Sequence, residues 1–142
     1  MLVSQIIREK GDLVFTTTPD EIVSKAVALL DERNVGAMVV IDAGGSVVGI
    51  FSERDLVRLV AKAGAAALDR PVESCMSREV IFATPTETVD SLMARMTDRR
   101  VRHLPVLDDG RLVGLVSIGD LVKRKIAETE AEAETLKAYI AA

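Results

Sequence analysis

The 142-residue chain holds one cysteine, one histidine, no tryptophan, a single tyrosine and three phenylalanines, and each scarcity removes a class of function. The lone Cys75 cannot form an intramolecular disulfide, and with His103 it leaves too few soft ligands for a structural zinc site, so no metal is expected. A redox role for Cys75 would need a second protein; a half-buried thiol between repeats is the simpler reading. One histidine and no recognisable nucleophile-base pair leave no catalytic residue to name, and the chain reads as non-enzymatic. The net charge of −4 and the shortage of aromatics argue against nucleic acid, whose phosphates need a basic surface and whose bases need stacking platforms. No apolar run approaches the ~20 residues that span a bilayer. The opening MLVSQIIREKGD carries neither a basic flank nor a small-residue cleavage site, so a cytoplasmic protein with no membrane partner is expected. Neither a G-x-G-x-x-G nor a Walker lysine loop occurs, which excludes the familiar phosphate cradles.

What is present is a globular composition, 49% hydrophobic and 28% charged, with both signs of charge mixed. The organising feature is a duplication. Val47 to Val57, VVGIFSERDLV, returns as Leu112 to Val122, LVGLVSIGDLV, and the residues ahead of each copy repeat as well. A unit of ~60 residues buries too little surface to be comfortable alone, so two such units sharing a core are expected.

Val3, Ile6 and Ile7 fall on one face of a short amphipathic helix that ends at the polar Glu9-Lys10-Gly11. Leu13-Val14-Phe15 reads as a brief strand. Thr18-Pro19-Asp20-Glu21 then has the form of a capped helix start, with Thr18 as N-cap, Pro19 as first helical residue and Glu21 completing a capping box. Helical spacing of Ile22, Val23, Ala26, Val27, Leu29 and Leu30 runs to Asp31–Asn34. Ala37 to Ile41 reads as a buried strand, Val47 to Phe51 as its return, and Ser52 as the cap of a helix over Glu53 to Lys62 with Leu56, Val57, Leu59 and Val60 on its apolar face. Gly64 to Pro71 marks the boundary between copies.

The second copy repeats these stations. Val80-Ile81-Phe82 is the brief strand, Thr84-Pro85-Thr86-Glu87 the helix start, and Val89, Leu92, Met93 and Met96 the apolar face of the helix. His103 to Leu107 and Leu112 to Val116 form the hairpin, with Pro105 expected at the strand's beginning or on an edge because it lacks an N–H. From Lys123 to Ala142 the last helix continues. Val122, Ile126, Thr129, Ala133, Leu136 and Ile140 alternate at four and three residues, a weak heptad-like seam that serves either to lie back on its own domain or to meet a second copy.

Two tandem copies of a strand, a T-P-x-E segment, an apolar strand before Asp and Gly, and Gly-apolar-apolar-Ser-x-x-Asp-Leu resemble a pair of cystathionine β-synthase (CBS) domains, a Bateman module. The resemblance runs from about Val3 to Ile126, and GIFSERDLV followed by RHLPVLDDGRLVGLVSIGDLV looks more narrowly like the small stand-alone bacterial CBS-pair proteins. It implies an α+β (α/β) fold of two β-α-β-β-α repeats packed with pseudo-twofold symmetry, divided as 1–66, 67–127 and a helical tail, 128–142. It also implies a regulatory homodimer with no obligatory cofactor, which binds AMP, ATP or NAD(H) in clefts between the repeats, senses energy or redox state, and reports to a partner protein. Ser52 and Asp55 in one cleft, and Ser117 and Asp120 in the other, would meet ribose and phosphate, helped by Arg54, Arg102 and His103. Asp12, Val14, Val35, Gly36, Ile50, Val80, Val101 and Leu115 would line the clefts around the adenine.

Elementary chemistry gives those roles separate support. A helix N-terminus offers free N–H groups to an anion, and a carboxylate beside it can accept two ribose hydroxyls. Ser-x-x-Asp is also a capping box, so each aspartate either satisfies backbone donors or seats a ribose; a dimerisation module with vestigial clefts is the alternative reading of the whole. Glu53-Arg54 stands where the second copy has Ile118-Gly119, and Gly36-Ala37 where it has Arg102-His103, so unequal affinities are expected.

Overall fold

A computed structural model of the chain describes residues 1–11 and 14–141. It mixes helices and strands and divides into two compact units: Leu13–Ile81, and Met1–Asp12 with Phe82–Ala142.

In the unit Leu13–Ile81, strand β1 (Thr16–Thr17) leads to helix α2 (Val23–Arg33), hairpin β2 (Ala37–Ile41) and β3 (Val47–Ser52), and helix α3 (Glu53–Ala63). β1 pairs parallel with β2, and β2 antiparallel with β3. Val23, Ala26 and Leu30 on α2 close over Met38, Val40 and Phe51 of the sheet, as their spacing predicts. The face expected on α3 is narrower: Leu59 is buried, whereas Val57 and Val60 are exposed. Gly64 to Pro71 is no loose boundary. It forms a 3-10 turn, Gly64–Asp69, with Ala67 fully buried, and Ile22 bridges Pro71.

In the other unit, helix α1 (Val3–Lys10) joins helix α4 (Val89–Arg99), hairpin β4 (His103–Asp108) and β5 (Arg111–Ser117), and the 24-residue helix α5 (Ile118–Ala141). Val3, Ile6, Val89, Leu92, Met96, Leu104, Val106, Val116 and Leu121 are all buried. The compact unit is therefore the body of the second repeat plus the lead-in of the first. The converse holds for the other unit, where Val72 and Met76 enter the core of the first repeat's body.

This exchange changes the two T-P-x-E segments. Neither Thr18 nor Thr84 caps a helix. Each segment closes a turn, Glu21 N–H to Thr18 C=O and Glu87 N–H to Thr84 C=O, both at 3.2 Å, and α2 and α4 begin later, after Ile22 and Thr88. The turn carbonyls are needed elsewhere: Val72 N–H donates to Glu21 C=O at 2.8 Å and Glu73 N–H to Pro19 C=O at 2.9 Å, while Val3 N–H donates to Glu87 C=O and Ser4 N–H to Pro85 C=O, both at 2.9 Å. A helix starting at Thr18 or Thr84 would consume the groups that hold the lead-in.

The brief strands shift too. Val14 and Phe15 precede β1, Leu13 lies outside the described residues, and Val80-Ile81-Phe82 is not a strand; only Ala83 bridges Val106. Pro105 explains the asymmetry. It lies within β4, opposite Leu115, not at the strand's start but in an edge strand of a two-stranded sheet, the other place expected for it. Its counterpart Val39 donates its N–H to Phe15 C=O at 3.3 Å; Pro105 has no N–H to offer the segment ahead of Ala83, so the parallel pairing shrinks to one bridge.

Candidate functional site

Both Ser-x-x-Asp motifs sit where a strand feeds a helix. Ala37 lies opposite Ser52 and His103 opposite Ser117, so the entry to each buried strand is beside the motif, as the resemblance implies for Gly36, Arg102 and His103. The first helical N–H is already used on both sides: Glu53 donates to Gly36 C=O at 3.0 Å and Ile118 to Arg102 C=O at 2.8 Å. The third is capped, Asp55 N–H by Ser52 Oγ at 3.4 Å and Asp120 N–H by Ser117 Oγ at 3.1 Å. Of the three N–H groups in the first turn, only the second, on Arg54 or Gly119, lacks a partner among the described residues. The expected anion seat is thus one donor wide.

The carboxylates differ. Asp55 is buried, 6% exposed. Its Oδ2 accepts from Ser52 N–H at 2.9 Å and from Ser52 Oγ at 3.0 Å, and its Oδ1 accepts from Ser77 Oγ at 3.1 Å. Asp120 retains 24% side-chain exposure. Its Oδ2 accepts from Ser117 N–H at 2.9 Å and from Lys10 Nζ at 2.7 Å, the Ser117 hydroxyl adds a weaker pull on the carboxylate, and among the described residues no hydrogen bond is made to Oδ1. Burial by itself would push the Asp120 carboxyl up, but Lys10 and the Ser117 N–H outweigh it and hold the group below its ordinary value.

Ser77 and Lys10 are the site residues that sequence reasoning missed, and they play matching parts. Ser77 N–H donates to Ile50 C=O at 2.9 Å and its hydroxyl to Asp55. Lys10 Nζ donates to Leu115 C=O at 2.8 Å and to Asp120. Ile50 and Leu115 are equivalent positions 65 residues apart, so each lead-in reaches the same strand carbonyl and the same motif carboxylate. A neutral hydroxyl does this for Asp55 and a cation does it for Asp120. In the sequence Lys10 belongs to a polar break; in the structure it is the last residue of α1.

The remaining expected residues are placed as follows. Val35 and Val101 are half-buried and close the ends of α2 and α4 through N–H bonds to Leu30 C=O and Met96 C=O. Arg54 and Arg102 are exposed, and Ile50, Leu115 and His103 half-buried. Val14 and Val80 are half-buried outside regular structure, and no hydrogen bond among the described residues ties either to a motif. Asp12 lies outside the described residues. Cys75 is half-buried, and burial together with the Asp55 charge pushes its thiol up to about 11, which leaves almost no reactive thiolate near neutrality. Among the described residues no group of three or more His, Cys, Asp or Glu could hold a metal ion, and no helix is long and apolar enough to cross a membrane.

The CBS-domain family model matches residues 5–62 and again 72–126, and the chain belongs to that family. It is similar to the CBS-domain containing protein ATU1752 from Agrobacterium tumefaciens, 44% identical with a TM-score of 0.84 over 87% of this chain and 92% of that one. The mitochondrial CBS domain-containing protein CBSX3 of Arabidopsis thaliana is 36% identical over 97% of this chain and 71% of its own length. The CBS domain pair of protein MJ0100, solved with 5′-methylthioadenosine and S-adenosyl-L-methionine, is 26% identical with a TM-score of 0.80, over 90% of this chain and 98% of that one.

Proposed function

We propose that the chain is a non-enzymatic regulatory module of the cytoplasm that binds an adenine-containing ligand at the Ser117–Asp120 motif and works as a homodimer on a partner protein. The observation that carries this reading is the contrast between the two carboxylates. Asp120 Oδ1 remains available for a pair of ribose hydroxyls, whereas three donors already occupy Asp55. Lys10 lies beside Asp120 with its side chain partly exposed; Arg102 is exposed at the same strand entry, and Gly119 leaves the second helical N–H uncovered. That set suits ribose hydroxyls with a phosphate or another polar 5′ substituent. The adenosyl ligands of MJ0100 support the class. If the ligand is AMP, ATP or NAD(H), the module reads energy or redox state.

For the Ser52–Asp55 motif, burial of Asp55 favours the structural role of a vestigial site. Differential scanning fluorimetry with AMP, ATP, NADH, 5′-methylthioadenosine and S-adenosylmethionine, and GMP as control, tests both halves. A ligand at ~100-fold its Kd stabilises by about 2.7 kcal/mol, which for a chain of this size is a rise of several degrees in Tm. Asp120→Asn is expected to abolish the rise and Asp55→Asn to lower the ligand-free Tm while leaving the rise intact. No shift with any adenine compound, or a shift that survives Asp120→Asn, overturns the proposal.

A further inference from the structure

The last helix raises a question of its own. Over its first eleven residues α5 is held to its unit: Leu121 is fully buried, Arg124 bonds Met1 and Glu9, Lys125 pairs with Asp90 at 3.0 Å, and Glu128 with the N-terminal ammonium at 3.2 Å. Every residue from Thr129 to Ala141 is exposed. An isolated helix of that length is marginal in water, and this one presents Leu136 at 60%, Tyr139 at 81% and Ile140 at 75% exposure.

At ~100° per residue, the residues that hold α5 to its unit form one stripe. The seam Val122, Ile126, Thr129, Ala133, Leu136 and Ile140 lies about a quarter-turn from it, uncovered along its whole length, with Val122 39% and Ile126 53% exposed. The flanking charges choose an arrangement. In a parallel, in-register pair the residue before each of Ile126 and Ala133 meets a residue five positions on in the other helix. Lys125, already paired with Asp90 of its own unit, then also faces Glu130 of the second copy, and Glu132 faces Lys137, so twofold symmetry gives four attractive pairs. The antiparallel arrangement that overlaps the seam fully sets Glu130 against Glu130, Glu132 against Glu132 and Lys123 against Lys137, all repulsive.

We infer that α5 pairs with α5 of a second copy of this chain as a parallel, in-register two-stranded coil over Val122 to Ile140. The inference rests on the homodimer reading above but not on the ligand. Its short length, and Thr129 and Ala133 in the seam, make the coil an accessory that fixes the direction in which two copies face.

Full-length chain carrying Cys75→Ser with Leu136→Cys, oxidised by diamide, tests this, with sedimentation equilibrium giving the mass. Identical seam positions meet only in a parallel, in-register pair, so a disulfide-linked dimer is expected from Leu136→Cys and not from Glu134→Cys on the outer face. Glu132→Lys should lower the yield several-fold and Glu132→Lys with Lys137→Glu restore it. A monomer mass overturns the homodimer reading and this inference together. A dimer mass with Leu136→Cys linking no better than Glu134→Cys overturns the coil alone.

Discussion

Asp55 and Asp120 occupy the same place in two copies of one motif, yet Ser77 reaches the first and Lys10 the second. Spacing of three residues makes the Ser-Asp cap legible in the sequence, because its bonds are local. Ser77 lies 22 positions from Asp55 and Lys10 lies 110 from Asp120, separations at which no periodicity signals contact. The Lys10 partnership sets the sign of a pH effect. A folded-state pKa below the ordinary carboxyl value means that Asp120 contributes stability above about pH 4, lost as pH falls through the folded pKa. Lys10→Met leaves the burial and removes the cation, so the Asp120 carboxyl should titrate above its wild-type position in a carbon-13 NMR pH series. The accompanying loss of stability at pH 7 should be under ~1 kcal/mol, since solvent screens a partly exposed pair, and should fade as pH falls through the folded-state pKa of Asp120. An unmoved Asp120 titration would remove Lys10 from the site.

At the scale of elements, two glycines mark where the lead-ins dock. A Cβ on Gly49 would sit 2.9 Å from the backbone oxygen of Ser77 and 2.9 Å from Met76 Sδ; on Gly114 it would overlap the end of the Ile7 side chain, whose atoms are its three nearest neighbours. A side-chain end can rotate away, whereas the Ser77 carbonyl is held by its bond from Ile50 N–H at 3.0 Å. Gly49→Ala should therefore cost about 1–3 kcal/mol and Gly114→Ala clearly less, measured as urea midpoints; equal losses would mean that the Ser77 backbone yields as easily as Ile7. The hairpins and the apolar faces of α2 and α4 were legible because their periodicities are strong. The T-P-x-E starts were not, since the turn carbonyls bond to residues far along the chain, and long-range bonds override a local cap signal. Pro105 carried the information that its neighbouring strand would be short, visible only once its counterpart Val39 was seen to donate at that position.

At the scale of the molecule, compact units and sequence repeats are different divisions. Val3 and Ile6, 0% and 4% exposed, belong to the unit built on the second repeat. At ~1.5–3 kcal/mol for each buried aliphatic side chain, removing residues 1–11 should weaken that unit most. Hydrogen exchange read by mass spectrometry should then show protection lost in β4 and β5 while β2 and β3 keep theirs. Equal loss in both hairpins would mean that α1 serves the whole chain and not the unit in which it is packed.

The sequence by itself determined the duplication, the family, the hairpins and the two capped helix starts at Ser52 and Ser117, because each depends on neighbours within a few residues or on a repeat visible along the chain. Only the tertiary structure decided which lead-in completes which body, and through it that Asp55 is enclosed by a serine while Asp120 stays half-open beside a lysine. Those outcomes rest on contacts between segments 22 to 110 residues apart, whose pairing is chosen by the packing of Val3 and Ile6 in one unit and of Val72 and Met76 in the other.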